Sequence, residues 1–307
     1  MPRLTRLKGI CLTATGVALV AGLCACHSVS RGASLGGLPA TALPPLQLSL
    51  VISDVYCKDS ACSCVHFIAT RRYTDFFCLL KEQYGIAVTP LYFEDSYEVA
   101  KQIKSGQVDG VICKPSLGFV TSRAAGQDYV RVADVQDVFT NTVLWGLFVV
   151  PRDSPIHTLK DAAGKRIVFG QADAYEKHQA AFATMAKAGL PVPPAASRIE
   201  KASCIEALGA IMDARADVAV ISHYALTGGC AVDFAKPEDF RVIATTERIP
   251  FISLMLDRGK LSVAEIHRIR DAFIALSRTA LPATMSGGGF VEAAPWDPVR
   301  LDDHAKK

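Results

Sequence analysis

The sequence predicts an α/β protein built as a two-lobed clamshell, each lobe a mixed, mostly parallel sheet flanked by helices. Three observations predict it. Strand-like and helix-like segments alternate from residue 47 to about residue 280. They group as a βαβαβ unit, a second α/β unit, and a strand-rich return segment closed by a helix. Strands joined by single helices imply right-handed crossovers and parallel pairing. This wiring places residues 47–140 and 241–300 in lobe 1 and residues 141–240 in lobe 2. The cleft then falls at the carboxyl ends of the strands.

Each element has a local reason. "LQLSLVIS" (47–53) alternates and is rich in branched residues, so it forms a strand. "HFIATRRYTDFFCLLKEQYG" (66–85) has helical spacing and stops at Gly85. "IAVTPLYF" (86–93) is a strand, and "SYEVAKQIKSGQ" (96–107) is a helix with Ser96 as cap and Glu98 in its first turn. "VDGVIC" (108–113) is the third strand. The second unit opens with one long strand, "TVLWGLFVVPRDSP" (142–155), then the short helix "TLKDAAG" and the strand "KRIVFG" (165–170). Helices over 174–189 and 203–215 and the strand "ADVAVIS" (216–222) complete it. "FRVIATTERIPFISLMLD" (240–257) is strand-rich. In the last helix (262–279), Val263, Ile266, Ile269, Phe273 and Leu276 recur every three or four residues, which gives it one apolar face.

The amino terminus points to export. "MPRLTRLK" is basic and leads into the apolar "GICLTATGVALVAGLCA", too short to cross a bilayer comfortably. The tetrapeptide "LCAC" resembles a bacterial lipobox, which implies that residues 1–25 are removed and that Cys26 is lipidated. Residues 26–46, rich in Ser, Gly, Ala and Pro, form a flexible tether. Removing residues 1–25 takes away three of the 33 basic side chains and none of the 30 acidic ones, so the mature chain is formally neutral. With no basic run, nucleic acid is excluded as a partner.

Three stretches carry a resemblance to a known family: "VDGVICKPSLGFV" (108–120), "LFVVPRDSPIHTLKDAAGKRIVFG" (147–170) and "ADVAVISHYAL" (216–226). They resemble the type II periplasmic solute-binding proteins of the phosphate, phosphite and phosphonate transporter class. The resemblance implies capture of a small-molecule solute between the lobes by hinge closure, by a monomer that delivers it to an ABC permease or a membrane sensor. It implies no enzyme activity. The candidate ligand-binding residues lie in the predicted cleft loops. Tyr56 follows the first strand, and Lys114 and Ser116 follow the third. Gln171, Asp173, Tyr175 and His178 follow the first strand of lobe 2, and Ser222, His223 and Tyr224 its last.

Binders of this class usually place a Ser/Thr-rich turn at the first lobe-2 helix, where free amides hold the phosphoryl group. This chain has "GQADAYEKH" there, and Asp173 with Glu176 reads as a D-x-x-E capping box. A carboxylate on those amides competes with any anion, so the ligand is not a simple phosphonate. Ser222 also stands where many binders of amine-bearing phosphonates have a carboxylate.

Seven cysteines follow Cys26. Cys57, Cys62, Cys64 and Cys113 fall at the predicted cleft edge and have two readings. One is structural disulfides, for example Cys57 with Cys62 or Cys64. The other is an exported thiol redox or metal site, binding Cu or Zn, that His66 could join. For Cys204 and Cys230 a mutual disulfide is the simpler reading, and Cys78 belongs to the core or partners the cluster. No catalytic motif such as G-x-S-x-G or H-E-x-x-H occurs.

Overall fold

The computed structural model describes residues 44–61, 69–137, 139–227, 234–285 and 288–301. The signal segment, Cys26 and most of the tether lie outside them, as do Cys62, Cys64, His66 and Cys230. The alternating apolar run Leu46–Ile52 forms β1, whose Leu48, Leu50, Val51 and Ile52 are buried. Helix α1 (Tyr73–Tyr84) turns the chain back and ends at Gly85, whose φ of 64° suits glycine. It starts later than its periodicity predicts because Arg71 is held in a bridge to Cys57 and in an ion pair with Asp54.

β2 (Ile86–Tyr92), α2 (Ser96–Ser105) and β3 (Gly110–Cys113) follow. The N-cap of α2 is Asp95, which accepts from the Tyr97 amide, and not Ser96. Next come helix α3 (Pro115–Ala124), with proline at its first position, and β4 (Tyr129–Val135). The predicted long strand over 142–155 is two, β5 (Val143–Leu144) and β6 (Gly146–Pro151), parted at Trp145. β7 (Ile167–Gly170), α4 (Gln179–Lys187), β8 (Ile199–Lys201), α5 (Cys204–Met212) and β9 (Val218–Ser222) continue the chain. β10 (Phe240–Thr245), β11 (Ile249–Pro250), β12 (Ile252–Asp257), α6 (Val263–Thr284) and β13 (Phe290–Glu292) complete it.

Two main sheets result, of six strands in the order β13-β4-β12-β3-β1-β2 and five in the order β10-β6-β9-β7-β8. Both are mixed. β1 pairs in parallel with β2 and β3, and β7 with β8 and β9, as helical crossovers require. β12 enters antiparallel between β3 and β4, and β6 lies antiparallel between β9 and β10, because these strands arrive from the other lobe. β10 belongs to the second sheet, so the chain returns to the first sheet only after Thr245. β5 and β11, on the two segments that run between the sheets, pair with each other.

The first sheet buries all six residues of β12, and Phe76 of α1, Phe273 of α6 and Phe290 of β13 pack against one another in tilted and edge-on pairs. In the second, strand alternation splits the core. Val149, Ala219 and Ile221 face the cluster around Leu208 of α5, while Phe148, Val150 and Val220 face Met185 of α4. Each large side chain so buried contributes about 1.5–3 kcal/mol.

Candidate functional site

The carboxyl ends of β1, β2 and β3 face those of β7, β8 and β9 across a cavity of about 330 Å³. Lobe 1 supplies Ser53 and Ser60 from the loop after β1, Glu94 and Ser96 around the start of α2, and Lys114 at the cap of α3. Lobe 2 supplies Asp173 and Lys177 from the turn after β7, Ser203 and Cys204 at the start of α5, and Tyr224 after β9. The loop after β1 is fixed from below. Asp54 takes an ion pair from Arg71 and a 2.8 Å hydrogen bond from the Tyr73 hydroxyl, and its amide donates to Ser60 Oγ at 3.1 Å.

A carboxylate joins the lobes at the cavity floor. Glu176 is fully buried; its Oε1 accepts from Lys114 Nζ of lobe 1 at 3.0 Å and from Ser222 Oγ of lobe 2 at 2.7 Å. Burial alone pushes this carboxyl up, but the Lys114 and Lys177 ammonium groups and the two hydrogen bonds outweigh it and hold it at about 2. Glu176 Oε2 is buried with no hydrogen-bond partner. Higher on the cleft, Ser96 Oγ donates to Asp173 Oδ2, a second link between the lobes.

An aromatic cluster backs the floor. His223 lies flat on Trp145, with ring centroids 3.7 Å apart, and Arg248 covers the same indole at 4.7 Å. Tyr224 stacks on Phe251 at 5.3 Å, and Tyr56 meets Phe251 edge-on. Burial lowers His223 to about 4 against the opposing pull of Asp137 and Glu176, so the imidazole is neutral at pH 7. Gly146 is required here, because a Cβ would lie 2.3 Å from the Glu176 carbonyl oxygen.

A family model described as "ABC transporter, phosphonate, periplasmic substrate-binding protein" matches residues 68–297. The chain belongs to this family. Its members are the solute-binding components of ABC transporters and work with permeases. Solved structures share the fold. A Xanthomonas citri protein bound to ATP aligns with a TM-score of 0.62 at 18% identity, over 84% of this chain and 98% of that one. A binding-protein component of a phosphonate ABC transporter from Pseudomonas aeruginosa gives 0.59 at 17% identity, over 84% and 86%. PhnD1 from Prochlorococcus marinus in complex with methylphosphonate gives 0.62 at 11% identity, over 86% and 98%. No curated protein matches in sequence. Among the described residues no helix is long and apolar enough to cross a membrane.

Within this scaffold the candidate residues separate. Lys114, Asp173 and Tyr224 line the cavity, and Ser222 holds Glu176 beneath it. Tyr175 is buried and donates to Glu247 at 2.7 Å, while Tyr56, Ser116 and His223 are buried in packing around the floor. Gln171 is exposed outside the cavity. His178 faces away, pairing with Glu200 at 3.0 Å beside a separate pocket against Phe182.

The Asp173–Glu176 capping box does not form. Tyr175–Lys177 is a separate 3-10 turn, His178 caps α4, and both carboxylates reach lobe 1 instead. Sequence reasoning missed Glu176 as the interlobe anchor, and Lys177 and Ser96 as cleft residues. The signal available was Lys114 itself, a cation directly after an all-buried strand.

Of the predicted thiol cluster, Cys57 and Cys113 lie among the described residues, and both are buried. Burial, with Asp54 adding to it, pushes the Cys57 thiol up to about 11, and burial pushes Cys113 up to about 12. Both are thiols outside any disulfide. Among the described residues no three His, Cys, Asp or Glu side chains gather as a metal site.

Proposed function

We propose that this chain is a lipid-anchored extracytoplasmic binding protein whose cleft captures a small polar solute other than a simple phosphonate, for delivery to an ABC permease. One observation carries the ligand reading. The cation best placed to hold a phosphoryl group, Lys114, is already neutralised by Glu176. Among the described residues, the remaining cleft charges are Lys177 against Glu94 and Asp173, with hydroxyls from Ser53, Ser60, Ser96 and Ser203. Such walls suit a neutral or amine-bearing ligand rich in hydrogen-bonding groups. The anchor is Cys26, behind the apolar leader.

A thermal-shift panel of oxyanions, amines and neutral polar solutes, followed by calorimetry, tests the ligand. Hits among neutral or amine-bearing compounds support the reading, and tight methylphosphonate binding overturns it. Labelling with radioactive palmitate tests the anchor. Label should enter the wild-type chain and be lost in Cys26→Ser; equal labelling of both refutes it.

A further inference from the structure

Cys204 is the first helical residue of α5, directly after Ser203, whose hydroxyl accepts from the Glu206 amide at 3.1 Å. Cys204 as a residue is 2% exposed, and its Sγ lies 3.9 Å from Nζ of Lys177, a residue 6% exposed. The lysine stem is fixed in place. It lies across Gly170, where an added Cβ would come within 2.7 Å of Lys177 Cβ and 2.9 Å of its Cε. Both residues line the interlobe cavity, so a small oxidant entering the cleft meets them together. Cys57, Cys78 and Cys113 do not line it. Cysteine chemistry concentrates where a thiol lies beside a positive charge.

We propose that Lys177 and Cys204 form a redox-responsive pair that closes into a nitrogen–oxygen–sulfur bridge on the cleft wall, with dioxygen as oxidant. The lysine first gives up one proton to become an amine. An amine N–H and the thiol S–H then break, and N–O and O–S bonds form around one oxygen atom. The other oxygen leaves with the two hydrogens as water. Nitrogen and sulfur are each oxidised by two electrons, and dioxygen takes up the four. Two equivalents of a dithiol reverse the step to amine, thiol and water. Closing the bridge removes the Lys177 charge from a wall that also carries Glu94 and Asp173, and leaves Glu176 with Lys114 as its cation. The solute site thereby becomes more acidic under oxidation.

Peptide mapping tests the bridge whatever the solute is. Full-length protein is held in air-saturated buffer or under reductant, alkylated, digested with trypsin and analysed by tandem mass spectrometry. The expected product joins the Lys177 and Cys204 peptides, heavier than their sum by one oxygen and lighter by two hydrogens. Cleavage after Lys177 is lost with it, and dithiol restores both peptides. Lys177→Arg keeps the charge and the stem but should give no joined peptide, and protein oxidised in urea should give none either. A joined Cys204–Cys230 disulfide, a sulfinate at Cys204 with Lys177 still cleaved, or equal bridging in urea would overturn the proposal.

Discussion

Replacing Lys114 by Met keeps the stem's packing and removes the charge that faces Glu176. The carboxylate is then left fully buried with only the Ser222 hydroxyl and the more distant Lys177 to support it. The size of the loss follows from the carboxyl itself. It titrates at 4.5 in an unfolded chain and at about 2 in the structure, which at about 1.4 kcal/mol per pH unit is roughly 3 kcal/mol of stability at pH 7. That is the low end of the 3–5 kcal/mol typical for breaking a buried pair, as suits a lysine that keeps 20% exposure.

The pH dependence has a definite sign. Because the folded carboxyl is depressed, its contribution is complete above about 4.5 and is lost as pH falls toward 2. Urea unfolding followed by far-UV circular dichroism should show Lys114→Met less stable than wild type by about 3 kcal/mol at pH 7. The gap should close on acidification, because a protonated Glu176 needs no cation. The double variant Lys114→Met/Glu176→Gln should recover part of the loss. A gap under about 1 kcal/mol at pH 7, or one unchanged at pH 3, would refute the bridge as the floor's anchor.

Gly146→Ala sets a Cβ against a backbone oxygen that cannot swing aside, so its thermal midpoint should drop by the equivalent of about 1–3 kcal/mol or more; an unchanged midpoint would contradict the packing. The His223 ring should stay neutral in an imidazole NMR titration down to about pH 5. Its unfolded form takes a proton from about 6.5 and its folded form only near 4, so stability falls as pH drops through that window, and His223→Phe should flatten the fall. Iodoacetamide at pH 8 should leave Cys57 and Cys113 unmodified until urea is added, since thiols at about 11 and about 12 hold almost no thiolate there. Rapid native alkylation would reopen the thiolate site.

Strands were the legible part of this chain, because the alternating Leu46–Ile52 and the short, mostly apolar run Val218–Ser222, buried throughout, both announce a strand in the sequence itself. Helix starts were less so, since tertiary partners set them. Arg71 belongs to Asp54 before it can join α1, and Asp95 displaced Ser96 as the cap of α2. α3 was missed because "KPSLGF" carries Pro115 and Gly118, yet Pro115 occupies the one helical position that needs no amide, and Gly118 admits Met255, whose Cε would lie 1.9 Å from an added Cβ. The candidate site shows the limit most clearly. Asp173 and Glu176 satisfy a local capping pattern three residues apart, but Glu176 finds Lys114 at a separation of 62 residues. A half-buried ammonium outbids two backbone amides, and no local rule can see it.

That same long-range pair bears directly on ligand choice. An anion held by Lys114 must sit near the Glu176 carboxylate, and two like charges about 5 Å apart at an effective dielectric constant of about 20 repel by roughly 3 kcal/mol. This amounts to a loss of about a hundredfold in affinity for each anionic charge brought to that distance. Glu176 thus gives Lys114 a carboxylate partner from within the chain. Glu176→Gln should release Lys114, and calorimetry should then show methylphosphonate binding raised by about a hundredfold over wild type. Equal binding by both proteins would mean that Glu176 stabilises the floor without governing what the cleft accepts.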